Sequence, residues 1–340
     1  MKGAVYVTGG QQRLGLREQA ESNLFEKARI LRVDADRNSV TVCADYVSPA
    51  ACRPEGESSI VFEGGALEGD RLYTSTRTEA LVYELPGFRL LERVSLPCFN
   101  DVHHVCPTPE GNLIVTSTGL DMVVEVTPDG RLLREWGVLG HDPWARFSRE
   151  VDYRKVPSTK PHASHPNFSF FLDGELWVTR CEQKDAVCLT RAGPRINVGV
   201  ERCHDGMVVG DSVYFTTVDG NVVIADRKSN EVRTVVDLKG IGNPRNALLG
   251  WCRGLGFADD ACVWVGFTRV RKTRLTENVQ WIKNLLYREA KPTHIALYDL
   301  RAEELLAEID LEPFGMDAVF GIFPINAVNA PIRTKISRAG

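Results

Sequence analysis

A short run of apolar residues that ends in Thr, Ser or Gly recurs six times along the chain. Four copies follow a turn-like segment rich in Gly, Asp or Glu, which is the chemistry of a hairpin that joins two strands. The copies are VYVT at 5–8, LYTS at 72–75, LIVT at 113–116, LWVT at 176–179, VYFT at 213–216 and VWVG at 263–266. A segment repeated over nearly the whole length predicts a repeat architecture.

Alternating apolar and polar residues follow each copy and form two further strands around a turn, as in MVVEVTPDGRLLREWGV after the third copy. With the strand that precedes each copy, every unit therefore holds four strands. Six such units predict an all-β fold, a six-bladed β-propeller, in which the sheets curl radially and leave only short edges exposed. A stacked sandwich is the alternative, and six matched units argue against it.

The first unit lacks its innermost strand, because the chain begins at a second strand. The C-terminal segment DAVFGIFPI at 317–325 is apolar, has the length of a strand, and completes that unit. We therefore expect the ring to close by pairing strands from the two chain ends within one blade. The repeat spans almost the whole sequence, so residues 1–340 are predicted to form a single domain.

Four metal-ligand residue types share one position in the repeat. Counting nine residues back from the first apolar residue of each second strand gives Glu63, His104, Asn167 and His204, and the next unit gives Gly254. Equivalent positions in successive blades lie at equivalent places around the axis, so we expect these side chains to meet in the central channel. A carboxylate, two imidazoles and an amide oxygen suit one divalent metal ion, such as Zn, Fe, Mn or Ca. The alternative is a polar channel that holds ordered water.

Residues beside this position are candidates for moving protons or binding substrate. The catalytic candidates are His103, His165, Asp205 and Asp317, and Arg253 is a candidate for binding a carboxylate or phosphate. Adjacent residues of a regular strand point to opposite faces, so their roles depend on how the strand ends bend.

Three insertions interrupt the repeat, at 9–28, 140–164 and 267–293. In an up-and-down blade all three emerge on the face where the innermost strands begin, which is the face of the predicted metal site. The second insertion contributes Trp144 and Arg146 as candidate substrate contacts. The third is partly helical by its apolar spacing near 268–290, and either packs on the rim or covers the channel as a lid.

Charge and composition narrow the classes of function. The net charge of −4 argues against a nucleic-acid partner, since binding phosphates needs clustered Lys and Arg. No stretch reaches the length of a membrane span, and the apolar run at the N-terminus is too short for a secretory signal, so we expect a cytoplasmic protein without a membrane partner. The nine cysteines occur without CxxC spacing, which indicates neither a disulfide framework nor a thiolate zinc site. The sequence does not indicate an oligomeric state.

The pattern resembles the senescence-marker/gluconolactonase superfamily of six-bladed propellers. In that superfamily a Glu, two amide or acidic residues and another acid, from separate blades, hold one divalent metal in the channel. Glu63 and Asn167 match these ligand types, whereas His104 and His204 differ from them. The segments HPNFSFFLDGELWVTR, HDGMVVGDSVYFTTVDG and CRGLGF are more closely similar to uncharacterised bacterial propeller proteins. The resemblance implies the fold and a channel metal, and leaves the substrate open.

These observations favour a metal-dependent enzyme that acts on a small polar organic molecule, most simply a lactone or ester hydrolase. A metal-dependent lyase or isomerase, or an oxidoreductase if iron is bound, would have the same sequence features. A propeller that binds a protein or glycan without catalysis, or a metal-stabilised sensor, is the alternative from another class. No nucleophile elbow, phosphate loop, dinucleotide fingerprint or zinc helix is found.

Overall fold

The computed structural model describes residues 2–13, 24–56, 58–270 and 289–325. The first twelve strands are β1 (Ala4–Gln12), β2 (Phe25–Asp34), β3 (Ser39–Tyr46), β4 (Gly65–Glu68), β5 (Arg71–Thr76), β6 (Glu79–Glu84), β7 (Arg89–Val94), β8 (Val102–Pro107), β9 (Leu113–Ser117), β10 (Met122–Val126), β11 (Leu132–Gly137) and β12 (Pro166–Leu172). The next twelve are β13 (Glu175–Arg180), β14 (Asp185–Cys188), β15 (Arg195–Asn197), β16 (Cys203–Val209), β17 (Ser212–Thr217), β18 (Asn221–Asp226), β19 (Val232–Asp237), β20 (Trp251–Phe257), β21 (Cys262–Thr268), β22 (His294–Asp299), β23 (Glu304–Asp310) and β24 (Ala318–Ile325).

Short 3₁₀ helices are the helical segments of the described ranges, and they lie in the connections between strands. They span Ala50–Cys52, Thr118–Leu120, Pro143–Ala145, Tyr153–Lys155, Leu238–Gly240 and Glu312–Phe314. The helical segment predicted near 268–290 lies for the most part in 271–288, outside the described residues.

The strands form six four-stranded antiparallel sheets, which confirms the predicted six-bladed propeller. Blades II to VI each use four consecutive strands, beginning with β4, β8, β12, β16 and β20. Blade I has the order β24-β1-β2-β3, so the C-terminal strand pairs with the N-terminal one. The predicted closure within one blade is thus confirmed, and β24 is the innermost strand of that blade.

Six apolar clusters hold the ring together, one in each interface between neighbouring blades. In the interface of blades IV and V, for example, Phe170 and Trp177 pack against Phe215. Because both faces of the two middle strands contact a neighbouring blade, these strands carry apolar residues on both faces. This contact on both faces explains the near-continuous apolar runs of the sequence repeat.

Threonines of the apolar repeat tie the second strands to the innermost ones. Thr8 and Thr74 both donate hydroxyl hydrogen bonds to the carbonyl oxygen of Glu63, at 3.0 and 3.2 Å. Thr179 donates to the carbonyl oxygen of Asp205 at 2.6 Å. These hydroxyls are fully buried, and they hold the backbone at the upper mouth of the channel, the end where the innermost strands begin.

We expect Thr179→Val to lower the free energy of unfolding by about 1–3 kcal/mol, because the buried carbonyl of Asp205 loses its hydroxyl donor at nearly constant side-chain volume. Urea unfolding followed by circular dichroism measures the change. Thr234→Val, at an exposed residue of β19, is the matched control and should stay within about 0.5 kcal/mol of wild type. Equal effects of the two substitutions would contradict a structural role for the repeated threonine.

Candidate functional site

Strand pairing defines the equivalent position in each innermost strand. The residue paired with the first apolar residue of the repeat is Leu67 in blade II, Pro107 in blade III, Phe171 in blade IV, Val208 in blade V, Phe257 in blade VI and Pro324 in blade I. In each blade we then take the residue four positions earlier in the sequence. These six residues form a set that we call the channel ring. Its members are Glu63, His103, Asn167, His204, Arg253 and Phe320.

All six residues of the channel ring line one small cavity of about 20 Å³ in the central channel. The structure thus brings together three of the four predicted metal ligands, Glu63, Asn167 and His204. It adds His103 and Arg253, which the sequence analysis placed beside the ring. β-Bulges occur at this height, with His103, Asn167 and Phe320 as unpaired residues, and bulges commonly re-aim side chains next to functional sites.

Among the residues that the structure describes, two buried oxygens of the channel ring have no hydrogen-bond partner. Glu63 and Asn167 are 3% and 4% exposed, and the unsatisfied atoms are Oε2 of Glu63 and Oδ1 of Asn167. The Asn167 amide is fixed because its Nδ2–H donates to the carbonyl oxygen of Cys203 at 2.8 Å. Burial raises the pKa of Glu63 to about 7, although the positive charges of His103 and Arg253 act to lower it. Such unsatisfied oxygens are costly in the absence of a cation or a donor.

His104 does not join the other three predicted ligands. Its Nε2–H donates to the carbonyl oxygen of Gly65 at 3.0 Å, and its Nδ1 accepts from the Ser169 backbone at 3.4 Å. The imidazole of His104 packs on the phenyl ring of Phe168, with the ring centroids 3.8 Å apart. His104 lines a second part of the channel, below the channel ring, so the side chain that faces Glu63 is that of His103.

Burial lowers the pKa of His104 to about 3, so this imidazole is neutral in the folded protein. The unfolded chain takes up a proton below about pH 6.5, whereas the folded chain does not, so His104 makes stability fall as the pH drops from 6.5 towards 3. We expect His104→Gln to reduce the pH dependence of the unfolding free energy by about 1.4 kcal/mol per pH unit near pH 5. Urea titrations at pH 5 and 7 measure it, with the exposed His141→Gln as control. An unchanged pH dependence in His104→Gln would contradict this placement.

A chain of ionisable side chains leads away from the channel ring. The Nε2 atoms of His103 and His162 lie 3.7 and 3.9 Å from the two carboxylate oxygens of Asp101. The Nδ1 atoms of His162 and His165 are 3.0 Å apart, so one donates a hydrogen bond to the other, and the ring of His165 meets that of His103 edge to face. Burial opposes ionisation of Asp101, but the charges of Arg77 and His103 hold the pKa of this carboxyl well below its usual range.

Burial lowers the pKa of His162, His165 and His204, most strongly for the last two. The positive charge of Arg253 acts in the same direction on His204. These imidazoles are therefore neutral at pH 7, the state in which a ring nitrogen can accept a proton or bind a metal.

Asp121 fixes the loop that carries His162 and His165. Its carboxylate accepts hydrogen bonds from the backbone N–H groups of residues 163, 164 and 165 at 2.8–2.9 Å. His165 has a positive φ of 56°, which turns its side chain towards His103. The sequence analysis did not identify Asp101 or His162 as site residues, because their approach depends on the path of this non-repetitive loop.

Above the channel ring, the channel widens into an upper cavity of about 570 Å³. Four of the seven histidines of the chain line this upper cavity. Its other charged lining residues are four cationic side chains and one carboxylate, namely Lys160, Arg202, Arg253, Arg269 and Glu182. Apolar residues, among them Trp251 and Phe320, form part of the wall. In a protein of net negative charge, this surplus of cations favours a negatively charged organic ligand.

The guanidinium of Arg253 lies at the boundary between the upper cavity and the channel ring. Its Cζ is 3.9 Å from the centre of the Phe320 ring, an arrangement that orients the planar fork. A guanidinium held in this way presents parallel donors to a carboxylate or phosphate. The sequence analysis named Arg253 as a candidate for binding a carboxylate or phosphate, and that role stays a prediction.

The other catalytic candidates have structural partners. Asp205 lies under the channel ring, where its Oδ2 accepts hydrogen bonds from the Thr216 hydroxyl and the Gly254 backbone, and burial raises its pKa to about 6. Asp317 accepts a hydrogen bond from the Gln12 backbone at 2.7 Å. In the described part of the chain, Asp317 lines neither the upper cavity nor the small cavity of the channel ring.

Trp144 and Arg146 stabilise the 140–164 loop. Trp144 donates from Nε1 to Glu135 at 3.2 Å and stacks under the guanidinium of Arg149. Arg146 donates to the carbonyl oxygen of Pro161 at 2.6 Å and lies near Asp121. Neither side chain lines the upper cavity, so the structure does not bring these two predicted substrate contacts to the site.

The three insertions are described to different extents. The end of the second, with Lys160 and His162, lines the upper cavity, as do Leu24 and Phe25 of the first and Thr268 and Arg269 of the third. Residues 14–23 and 271–288 lie outside the described part of the chain, so the predicted lid is not described.

Within the described ranges, no three His, Cys, Asp or Glu side chains converge to hold a metal ion. None of the helices in these ranges has the length and apolar character to cross a membrane.

Comparison with known proteins shows the fold. No protein-family model matches the sequence, and no curated protein matches it. A protein of unknown function from Bacteroides caccae is similar in structure, with a TM-score of 0.60 and 12% identity over 96% of this chain and 100% of its own. Virginiamycin B lyase from Staphylococcus aureus is more distant, with a TM-score of 0.46 and 13% identity over 90% of this chain and 88% of its own. The similarity to the Bacteroides caccae protein shows a shared fold and says nothing about the reaction.

Proposed function

We propose that this protein is an enzyme that binds a small organic anion in the upper cavity and transforms it at the channel ring. The observation that carries the proposal is the position of Arg253, which joins a cation-rich cavity of about 570 Å³ to a floor of buried acid, amide and imidazole groups. A concave site with a few convergent polar groups is the usual form of a small-molecule site.

A divalent metal ion is part of this proposal. Its ligands would be Glu63, Asn167 and His204, because two of them offer buried oxygens that no described residue hydrogen-bonds and the third is an imidazole in the same small cavity. The set includes an amide oxygen, and it leaves coordination positions for water and substrate. When bound, the ion would compensate the buried charge of Glu63 and polarise a substrate carbonyl.

His103 is the proposed general base. It lies in the channel ring, and Asp101 is placed to orient its imidazole and to stabilise the imidazolium that forms when it takes a proton. His103 itself lines the upper cavity, and His162 approaches the second carboxylate oxygen of Asp101, so the same carboxylate lies beside both imidazoles. Arg253 would bind the anionic group of the substrate and so hold its reactive carbon over the ring.

The simplest reaction for these groups is hydrolysis of a lactone or ester that carries a carboxylate. His103 would remove a proton from water, and the water oxygen would attack the carbonyl carbon. The bond from that carbon to the leaving oxygen would then break, and His103 would give the proton to the leaving oxygen. A lyase or isomerase reaction that begins with proton removal next to a carboxylate uses the same residues, and substrate tests separate these reactions.

A paired substrate panel tests the proposal. Tag-free protein is incubated with Zn²⁺, Mn²⁺, Fe²⁺ or Ca²⁺ and with lactones and esters that bear a free carboxylate, each beside its neutral methyl-ester analogue. We expect turnover of at least one anionic compound, about tenfold or more above its neutral partner. Binding of the anions without turnover of any compound would favour a binding propeller, and equal turnover of the neutral analogues would contradict the role of the cationic cavity.

A further inference from the structure

A separate cavity occupies the central channel below the channel ring, and we call it the lower cavity. Its volume is about 260 Å³, and the later residues of the innermost strands line it, from Leu67 of β4 to Pro324 of β24. The ring cavity of about 20 Å³ separates it from the upper cavity. A ligand of the lower cavity therefore reaches it from the opposite mouth of the channel and is distinct from the proposed substrate.

The polar side chains of the lower cavity are already bonded within the protein. His104 contacts the Gly65 carbonyl and the Ser169 backbone N–H, as described above. The Ser169 hydroxyl is 2.7 Å from that of Thr116, and Asp205 accepts bonds from Thr216 and Gly254. Little capacity remains to bind a charged or strongly polar ligand.

Apolar and aromatic residues supply most of the remaining wall, including Phe168, Phe170, Met207, Ile322 and Phe323. Gly206 and Gly321 leave room for the rings of Phe170 and Phe323. A Cβ on Gly206 would lie 2.5 Å from the Phe170 ring, and one on Gly321 would lie 2.7 Å from the Phe323 ring. The phenyl groups can thus lie against bare backbone at the channel wall.

We propose that the lower cavity is a binding site for an uncharged aromatic molecule of about ten heavy atoms. An apolar cavity of about 150 Å³ in a protein core remains dry and binds benzene, so a cavity of 260 Å³ has room for a fused two-ring compound. Phe168 and Met207 would contact its faces through stacking and sulfur–aromatic contacts.

Fluorine NMR with 1-fluoronaphthalene tests this site. We expect saturable binding of one equivalent to wild type, and a loss of affinity of at least tenfold in Met207→Trp and Val208→Phe, which fill the cavity. Val235→Phe, on the exposed face of β19, makes the same change outside the cavity and should leave binding unchanged. Absence of saturable binding to wild type, or equal affinity in the folded cavity variants, would overturn the proposal.

A second measurement does not depend on the variants. Crystals of wild-type protein soaked with 5-bromoindole should show an anomalous bromine peak beside Phe168 and Met207. A bromine peak elsewhere, or no peak after a soak at a saturating concentration of 5-bromoindole, would overturn the proposal. Neither result depends on metal binding or turnover at the channel ring.

Discussion

Replacement of His103 by Gln is expected to lower kcat/KM about 10²- to 10⁴-fold for the best substrate of the panel, because the reaction loses its proton acceptor. The amide can keep a hydrogen bond but cannot take the proton. Steady-state kinetics on folded protein measures the loss. His141→Gln makes the same chemical change at an exposed histidine outside the site, and it should leave kcat/KM unchanged.

The role of Asp101 is tested with the same assay. Because Asp101 acts through His103, Asp101→Asn should lower kcat while leaving KM nearly unchanged. Loss of activity through a rise in KM alone, or wild-type activity of His103→Gln, would contradict the proposed base.

Arg253→Met is expected to lower kcat/KM by about 30- to 4,000-fold for anionic substrates, since truncation of one partner of a buried charge pair costs about 2–5 kcal/mol. The neutral analogues should lose much less, because they do not pair with the guanidinium. Comparison of the two substrate classes in one variant therefore isolates the charge. Arg37→Met, at a side chain 78% exposed, is the control. An equal loss for both classes would show that Arg253 does not select the anion.

The fold was predictable because the same burial constraint applies to the middle strands of all six blades. Each blade buries both faces of its middle strands against its neighbours, so the apolar runs of VYVT, LIVT or VWVG recur wherever the chain passes through the same place in the ring. The strand 317–325 could be assigned to the first blade for the same reason, since a blade without an innermost strand would leave an exposed edge.

The channel ring was predictable only in part, because the hairpins differ in length. Leu72, Leu176 and Val213 pair with residues five positions earlier, and a count of nine correctly reaches Glu63, Asn167 and His204. In blades III and VI the paired residues are six positions apart, as for Leu113 and Pro107. The same count therefore ends one residue late, at His104 and Gly254, where the equivalent residues are His103 and Arg253. An extra residue in a turn moves every side chain of a strand to the other face.

The approach of Asp101 and His162 could not be predicted by such a count. It depends on the folding of the 140–164 loop, which the Asp121 carboxylate anchors through three backbone N–H groups. This loop has no periodic pattern, and its neighbours in space are distant in sequence. Trp144 and Arg146 illustrate the converse, since residue types suited to ligand binding here stabilise the loop itself.

Elemental mass spectrometry of tag-free protein tests the central claim most directly. The comparison covers wild type, Glu63→Gln, His204→Ala and His104→Gln, each confirmed to be folded by circular dichroism. We predict close to one divalent metal ion per chain in wild type and in His104→Gln, and a loss of most of it in Glu63→Gln and His204→Ala. Wild-type protein that neither retains nor takes up metal, or loss of the metal in His104→Gln with retention in His204→Ala, would contradict the account.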